Sequence, residues 1–388
     1  MNCPECGKEN PDEVKNCQFC NAPINGTTDL AKPVTVRISR LAITAVIFAI
    51  CGLILTLTGL IIIMLPRPLG TRSPLADMFF SISLLSLFIA LILGFISLAG
   101  IERSGGRISG RNFSVGSIII SIIVGILPIG VLFLARIRST AYRMVCGTNL
   151  AQIGMAMLEY ANDYDNGMPR AGGENSIWAN KISDWKAINR DKAYGLDSEG
   201  TGGAGSISSC LFLLVKYENV EPKVFICIQD FKVKKFDPAN YSERDKDFTD
   251  LWDFGPEPWK HCSYSYHMPY GKYALTVSND PDMAVAADRN PWIPSLGWKV
   301  KDISKFNPDG DRNAIKAGNA FPHKDEGQNV LFIDSHVDFQ PTSFCGVNED
   351  NIYTYQDGGD IRRSSPPQIG SQPTNRLDSL LVNDPPIE

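Results

Sequence analysis

Residues 115 to 135, VGSIIISIIVGILPIGVLFLA, carry no charge, and as a helix they would cross about 30 Å of hydrocarbon. The stretch that follows, RIRSTAYRMVCGTNLAQIGMAMLEYANDYDNGMP, sets Cys146, Leu150, Ile153, Met157, Ala161 and Tyr164 at spacings of four and three. That spacing predicts an amphipathic helix with a narrow apolar stripe. Such a stripe needs a surface to lie on, and the plainest one is the helix's own domain. Asn166-Gly167 and Pro169 predict the stop, a helix-ending glycine followed by a proline that cannot continue. A chain with this feature is expected to fold partly in lipid and partly in water.

At 388 residues there is room for two or three domains, and a mean hydropathy of −0.06 averages unlike parts. A net charge of −5 and a pI near 5.5 argue against a nucleic-acid partner, whose binding rests on clustered Lys and Arg. The cysteines divide by position. Cys3, Cys6, Cys17 and Cys20 precede the apolar runs, Cys51 lies inside one, and Cys146, Cys210, Cys227, Cys262 and Cys345 follow them.

The two Cys-x-x-Cys pairs of residues 1–24, Cys3 with Cys6 and Cys17 with Cys20, are what a tetrahedral zinc site needs. Each pair makes a tight knuckle that presents two thiolates, and two knuckles close the shell. A closed shell leaves no position for substrate, so the Zn2+ is expected to be structural. So short a segment lacks an apolar core and should depend on the metal to fold. Duplication of the pair and the lack of a βαβ pattern disfavour a redox motif. The segment resembles the small zinc ribbons that open many bacterial membrane proteins. Residues 25–36 read as a polar linker.

Residues 37–138 are expected to form a three-helix membrane domain. The first span, Leu41 to Leu65, ends at Pro66 and Pro68, and having no small-residue cleavage site it reads as an anchor. Met78 to Ile101 is the second, and after the glycine-rich basic turn ERSGGRISG comes the third. The helices flanking this turn resemble, in pattern, a bacterial membrane domain that often follows a zinc ribbon. Lys32, Arg37, Arg40, Arg103, Arg107 and Arg111 fall on one side, against Arg67, Arg72, Arg136, Arg138 and Arg143 on the other. With thiolates persisting in a reducing compartment, this places the N-terminus in the cytoplasm and everything after Arg136 outside the inner membrane.

Arg143, Cys146, Asn149, Leu150, Gln152, Ile153, Gly154 and Met157 spell Arg-x-x-Cys-x-x-Asn-Leu-x-Gln-Ile-Gly-x-x-Met. This run resembles the first helix of bacterial type IV pilin-like proteins and type II secretion pseudopilins. Arg136 and Arg138 supply a basic collar, and Tyr160-Ala161-Asn162-Asp163 with Gly167 and Pro169 fit the same pattern. The resemblance implies a membrane helix continuing into an amphipathic half, residues 139–168, that carries an α+β extracytoplasmic head, residues 169–360. Those proteins open the helix with a Gly-Phe-Thr-Leu-Ile-Glu processing site. No such run, and no acidic residue, lies between Ser114 and Arg136, so the chain is expected to keep its N-terminus uncleaved, in the membrane fraction.

In the head, residues 171 to 209, rich in Gly, Asn, Ser and Asp, read as a long surface excursion. Leu211 to Tyr217 predicts a helix and Lys223 to Ile228 a strand, resembling the Lys-Val-Phe-x-Cys strand of the same family with Ile228 in place of Pro. Residues 262 to 277 alternate as a half-buried strand broken at Met268-Pro269-Tyr270-Gly271. Asn329 to Ile333 and His336 to Phe339 predict a hairpin turning at Asp334-Ser335. This resembles a prepilin-type motif, a His and then, after nine intervening residues, Asp-Gly. Here ten residues separate His323 from Asp334 and Ser335 replaces the glycine, at a position needing positive φ. Residues 361–388 read as a Pro/Ser-rich tail, with Leu380, Leu381 and Val382 able to dock on the head.

His323, Asp334 and His336 as metal ligands, and Asp309, Asp311 and Asn313 as a calcium loop, are the weaker readings; the second lacks the glycine and bidentate Glu of a full loop. No catalytic or cofactor-binding residue stands out, and no enzyme is expected. Of the five later cysteines, Cys146 reads as a packed small residue, and the other four allow three pairings in an oxidising compartment. The function expected is structural or assembly-related, with partners in the membrane, envelope or secretion apparatus. The alternative is a sensor with a ligand-binding head and a ribbon that meets a cytoplasmic partner.

Overall fold

The computed structural model describes residues 1–3, 5–11, 14–23, 37–64 and 74–387, except for the side chains of 63, 64, 74, 128, 129, 131, 132 and 134–136. The expected linker, the prolines after the first span, Lys32, Arg67 and Arg72, and the side chain of Arg136 therefore lie outside the described residues. The chain divides into two compact units, Met1–Phe133 and Leu134–Glu388.

The first unit holds the four-cysteine segment, helices α1 (Arg40–Met64) and α2 (Pro74–Arg103), and the start of α3 (Arg111–Asp163). Two helical segments, Arg40–Ile62 and Leu75–Arg103, are long and apolar enough to cross a membrane. Within α3 the described apolar part, Arg111–Leu127, is shorter than a span. Helices α1 and α2 are apolar outside and small or polar inside. Ala42, Ala45, Ala49, Gly52, Thr56 and Gly59 form a buried stripe, whereas Ile43, Ile47, Ile50, Ile54, Leu57 and Ile61 are exposed. Small residues bring backbones close where lipid, not water, is the solvent. At Gly52 a β-carbon would stand 2.6 Å from Leu87 Cδ2. Hydroxyls then bridge the helices: Thr56 Oγ1 lies 2.6 Å from Ser83 Oγ, which donates to Gly52 O, and Ser86 donates to Phe48 O.

The second unit is built on an antiparallel sheet of five strands: β1 (Tyr264–His267), β2 (Ala284–Asp288), β3 (Gln328–Phe332), β4 (Val337–Gln340) and β5 (Leu381–Val382), in the order β4-β3-β2-β1-β5. Both faces are covered. Tyr264, Tyr266, Leu331, Ile333, Leu380 and Val382 join the larger core with α3 and α4 (Ile207–Tyr217), while Val330, Phe332 and Leu381 point into a second core with Trp292, Phe306 and Tyr353. β2 contributes to both cores, and a register shift between Ala284 and Ala286 accompanies the placing of both Val285 and Ala286 in the larger one. The stripe of α3 packs on its own unit, as the plain reading expects: Cys146, Leu150, Ile153, Met157 and Ala161 are buried. Tyr164 is not; it is exposed and stacks on Tyr160.

Several expectations need correction. Lys223 to Ile228 is not a strand: Pro222–Phe225 is a 3-10 turn, because Pro222 fixes φ and has no N–H for a ladder, and Val224 and Ile226 donate to Glu221 O and Lys223 O. Residues 171 to 209 are not a loose excursion, since Ala171, Trp178, Ile182, Ala187, Ala193 and Tyr194 sit in the core. Their glycines serve close approach; a β-carbon on Gly205 would overlap Tyr270 Oη. The strand after Cys262 is buried on both faces and ends at His267. Helix α4 begins at Ile207, four residues earlier than expected, because Ser206 and Ser209 form a capping box. The hairpin turns over three residues, Ile333 to Ser335, with Ser335 N donating to Phe332 O and Ser335 at φ +68°. Finally, the tail is not loose. It supplies edge strand β5, which pairs Leu381 and Val382 with His267 and Tyr266.

Candidate functional site

The four N-terminal cysteines converge. Their sulfurs all lie within 4.8 Å of one another, and Cys3–Cys20 and Cys6–Cys17 are each 3.6 Å apart. Bonds of about 2.3 Å to one tetrahedral ion would set sulfurs roughly 3.8 Å apart, so the donor set fits such an ion. The fit comes from one loop built twice. Cys3 N donates to Lys8 O as Cys17 N does to Ala22 O, and Gly7 N donates to Cys3 O as Asn21 N does to Cys17 O. Gly7 and Asn21 both take positive φ, +66° and +61°. Asn10 Nδ2 and Phe19 N donate to Cys17 Sγ, each at 3.4 Å. Against the effect of burial, these donors hold the Cys17 thiol down at about 6. Four cysteines thus form a cradle that can hold a metal ion.

A second cluster lies in the larger unit, and only part of it was visible in the sequence. Cys146 Sγ on α3 is 2.6 Å from Cys227 Sγ. His323 Nε2 lies 3.7 Å from Cys227 Sγ, 3.3 Å from Asp288 Oδ2 and 3.2 Å from Asn329 Nδ2, and its Nδ1 meets Gln229 Oε1. Cys146, Cys227, His323 and Asp288 are all buried. Burial alone would lower the His323 pKa, but the Asp288 carboxyl together with the Cys146 sulfur outweighs it and raises it to about 9. The Cys227 contact and the imidazole bring Cys146 down to about 6 against its burial. The loop that presents His323 is strained: His323, Lys324 and Asp325 sit at φ of +65°, +60° and +59°, a conformation costing on the order of 1 kcal/mol or more per residue. Asp288 Oδ1 is buried without a hydrogen-bond partner among the described residues.

The motif residues of α3 explain how the cluster is assembled. Asn149 Nδ2 donates to Ile226 O at 3.0 Å, fixing the backbone next to Cys227. Arg143 lays its guanidinium 4.2 Å over the Phe339 ring. Three patterns singled out in the sequence, around Cys146, Cys227 and His323, therefore meet at one point. Each pattern was visible in the sequence, but their convergence was not, and Asp288 carried no signal.

Other candidates do not converge. His336 pairs with Asp334 at the exposed hairpin turn, away from buried His323, so those three form no ligand set. Asp311 caps the helix Arg312–Lys316 and Asp309 pairs with Arg362, so the calcium reading fails. His261 binds Tyr241 Oη and Lys234 O. His267 contacts Met268 O and Asp378 O, and burial lowers it to about 4. No family model matches the chain, and no curated protein or solved structure is significantly similar to it.

Proposed function

We propose that this chain is a membrane-anchored envelope protein with a structural or assembly role, related to secretion or pilus-type systems, in which three spans join a cytoplasmic zinc ribbon to an extracytoplasmic head. The observation that carries the reading is α3. One helix, Arg111–Asp163, bears the uncharged segment 115–135 and also the buried stripe of the head from Cys146 to Ala161. The head's core thus includes a continuation of its own proposed anchor helix. The inverted packing of α1 and α2, bulky outside and small inside, supports lipid as their solvent.

The ribbon's role is structural, because four thiolates fill a tetrahedral zinc shell and leave no open position. A reducing cytoplasm suits these thiolates.

Placement of the head tests the proposal. Ile188 is 91% exposed, so Ile188→Cys gives an accessible probe. It should react with a membrane-impermeant maleimide in intact spheroplasts, whereas Lys15→Cys in the ribbon should react only after lysis. Labelling in the reverse order would overturn the topology and the envelope role with it.

A further inference from the structure

We propose that Cys146 and Cys227 are a disulfide-forming pair that fastens α3 to the segment following the 3-10 turn, and that they are the only two of the head's cysteines to be linked. The sulfur geometry distinguishes this from a metal site. In the ribbon, neighbouring thiols stand 3.6 Å apart, close to the separation of two ligands on one tetrahedral ion. Cys146 and Cys227 stand 2.6 Å apart, too near to share an ion and too near for two thiols at rest. Only a covalent bond, at about 2.05 Å, brings two sulfurs closer.

The surroundings select this pair. Cys210 Sγ lies 3.3 Å from Tyr270 Oη and accepts from Ala171 N. Cys262 Sγ faces Tyr264 O, and Cys345 Sγ faces Ser343 O. Among the described residues, no contact joins any of these three to another sulfur. Cys227 lies in a stretch, 226 to 231, that belongs to no strand and that the Asn149–Ile226 bond also ties to α3. His323 adds a proton donor at the sulfurs, backed by Asp288, so that a thiolate formed there is met by an imidazolium.

Closure is a two-electron oxidation. With glutathione disulfide as oxidant, one cysteine thiolate attacks a glutathione sulfur and expels glutathione thiolate. The other cysteine thiolate then attacks the protein sulfur of that mixed disulfide and expels the second. Two protein thiols and one glutathione disulfide become one protein disulfide and two glutathione thiols, which keep the two protons. In the cell a protein disulfide donor takes glutathione's place, and that occurrence rests on the proposed external head.

The test uses the full chain. Cells are quenched with N-ethylmaleimide before lysis, and the protein is mapped without reduction. A Cys146–Cys227 linked peptide, lighter by two hydrogens than the free pair, with Cys210, Cys262 and Cys345 alkylated, is the expected result. Reduced full-length protein in detergent is separately equilibrated with glutathione mixtures until its thiol count is constant. If the pair is free in cells but closes there alone, the pairing stands and the external head falls. No link at equilibrium, a link to Cys210, Cys262 or Cys345, or a second metal ion lost with Cys227→Ser overturns the pairing. The double variant C146A/C227A guards against misfolding: it should melt with the reduced protein, below the oxidised one.

Discussion

Gly154 of α3 and Leu331 of β3 meet so closely that a β-carbon at 154 would stand 2.6 Å from Leu331 Cδ1. A glycine within a helix costs about 1 kcal/mol relative to alanine, and here close helix–sheet contact offsets that cost. Seven residues earlier, Gly147 approaches Asn329 less closely, a β-carbon there standing 3.3 Å from Asn329 Oδ1. Gly154→Ala should therefore destabilise the head by roughly 1–2 kcal/mol, overpacking outweighing the gain in helix propensity. Gly154→Ala with Leu331→Val should recover most of it. Chemical denaturation of the three proteins measures the effect, and a stabilised single variant would mean that the seam is not tight.

The same seam shows which parts of the fold were legible. Stripe residues such as Leu150 and Ile153 follow helical spacing, and Asn329 to Ile333 alternates between two cores, so pattern alone located them. The glycines of residues 171 to 209 were misleading, because glycine marks loops and close approaches alike, and only Tyr270 above Gly205 separates the two. Lys223 to Ile228 had strand composition, yet Pro222 decided the turn. The four-cysteine cradle was legible because both Cys-x-x-Cys pairs lie within one short segment. The cluster of Cys146, Cys227, His323 and Asp288 was not, since its members come from distant parts of the chain and meet only after the sheet forms.

Removing one ribbon ligand tests the zinc assignment. Cys6→Ser should abolish zinc binding and unfold the ribbon, since metal supplies on the order of 10 kcal/mol to such a segment. The head, a separate compact unit, should keep its melting temperature. Elemental analysis of the purified variant decides it; undiminished zinc would exclude this cradle as the site.

A buried acid gives the head a pH dependence of definite sign. Asp253 is fully buried, accepts from Ser206 Oγ and Phe254 N, and is pushed up to about 8 by burial, with the Asp384 carboxyl adding to the effect. Its folded pKa lies above the ordinary carboxyl value of about 3.9, so the folded head binds this proton more tightly. The stabilisation is complete below pH 4 and is lost as pH rises through about 8. In that window one proton contributes a slope of about 1.4 kcal/mol per pH unit. Asp253→Asn, neutral at every pH, should remove that share of the slope. Denaturation midpoints from pH 5 to 9 measure it, and equal slopes in the two proteins would show that Asp253 is ionised throughout.

The end of the chain holds the start of α4. Asp384 Oδ1 accepts from Ile207 N at 2.9 Å and Trp178 Nε1 at 3.0 Å, and Oδ2 accepts from Ser208 N at 2.8 Å. A carboxyl group at a helix N-terminus satisfies donors that the helix itself cannot. Asp384→Ala would strand three buried donors, each costing roughly 1–3 kcal/mol, so a loss of several kcal/mol is expected. Asp384→Asn keeps an acceptor and should lose less. Truncation before Ser379 should do most harm, because it also strips β5 and leaves the β1 edge of the sheet open to pairing between chains. Denaturation of the point variants and sedimentation of the truncated one measure these effects. A truncated protein as stable as the full chain, and sedimenting as the full chain does, would return the tail to the loose segment its composition suggests.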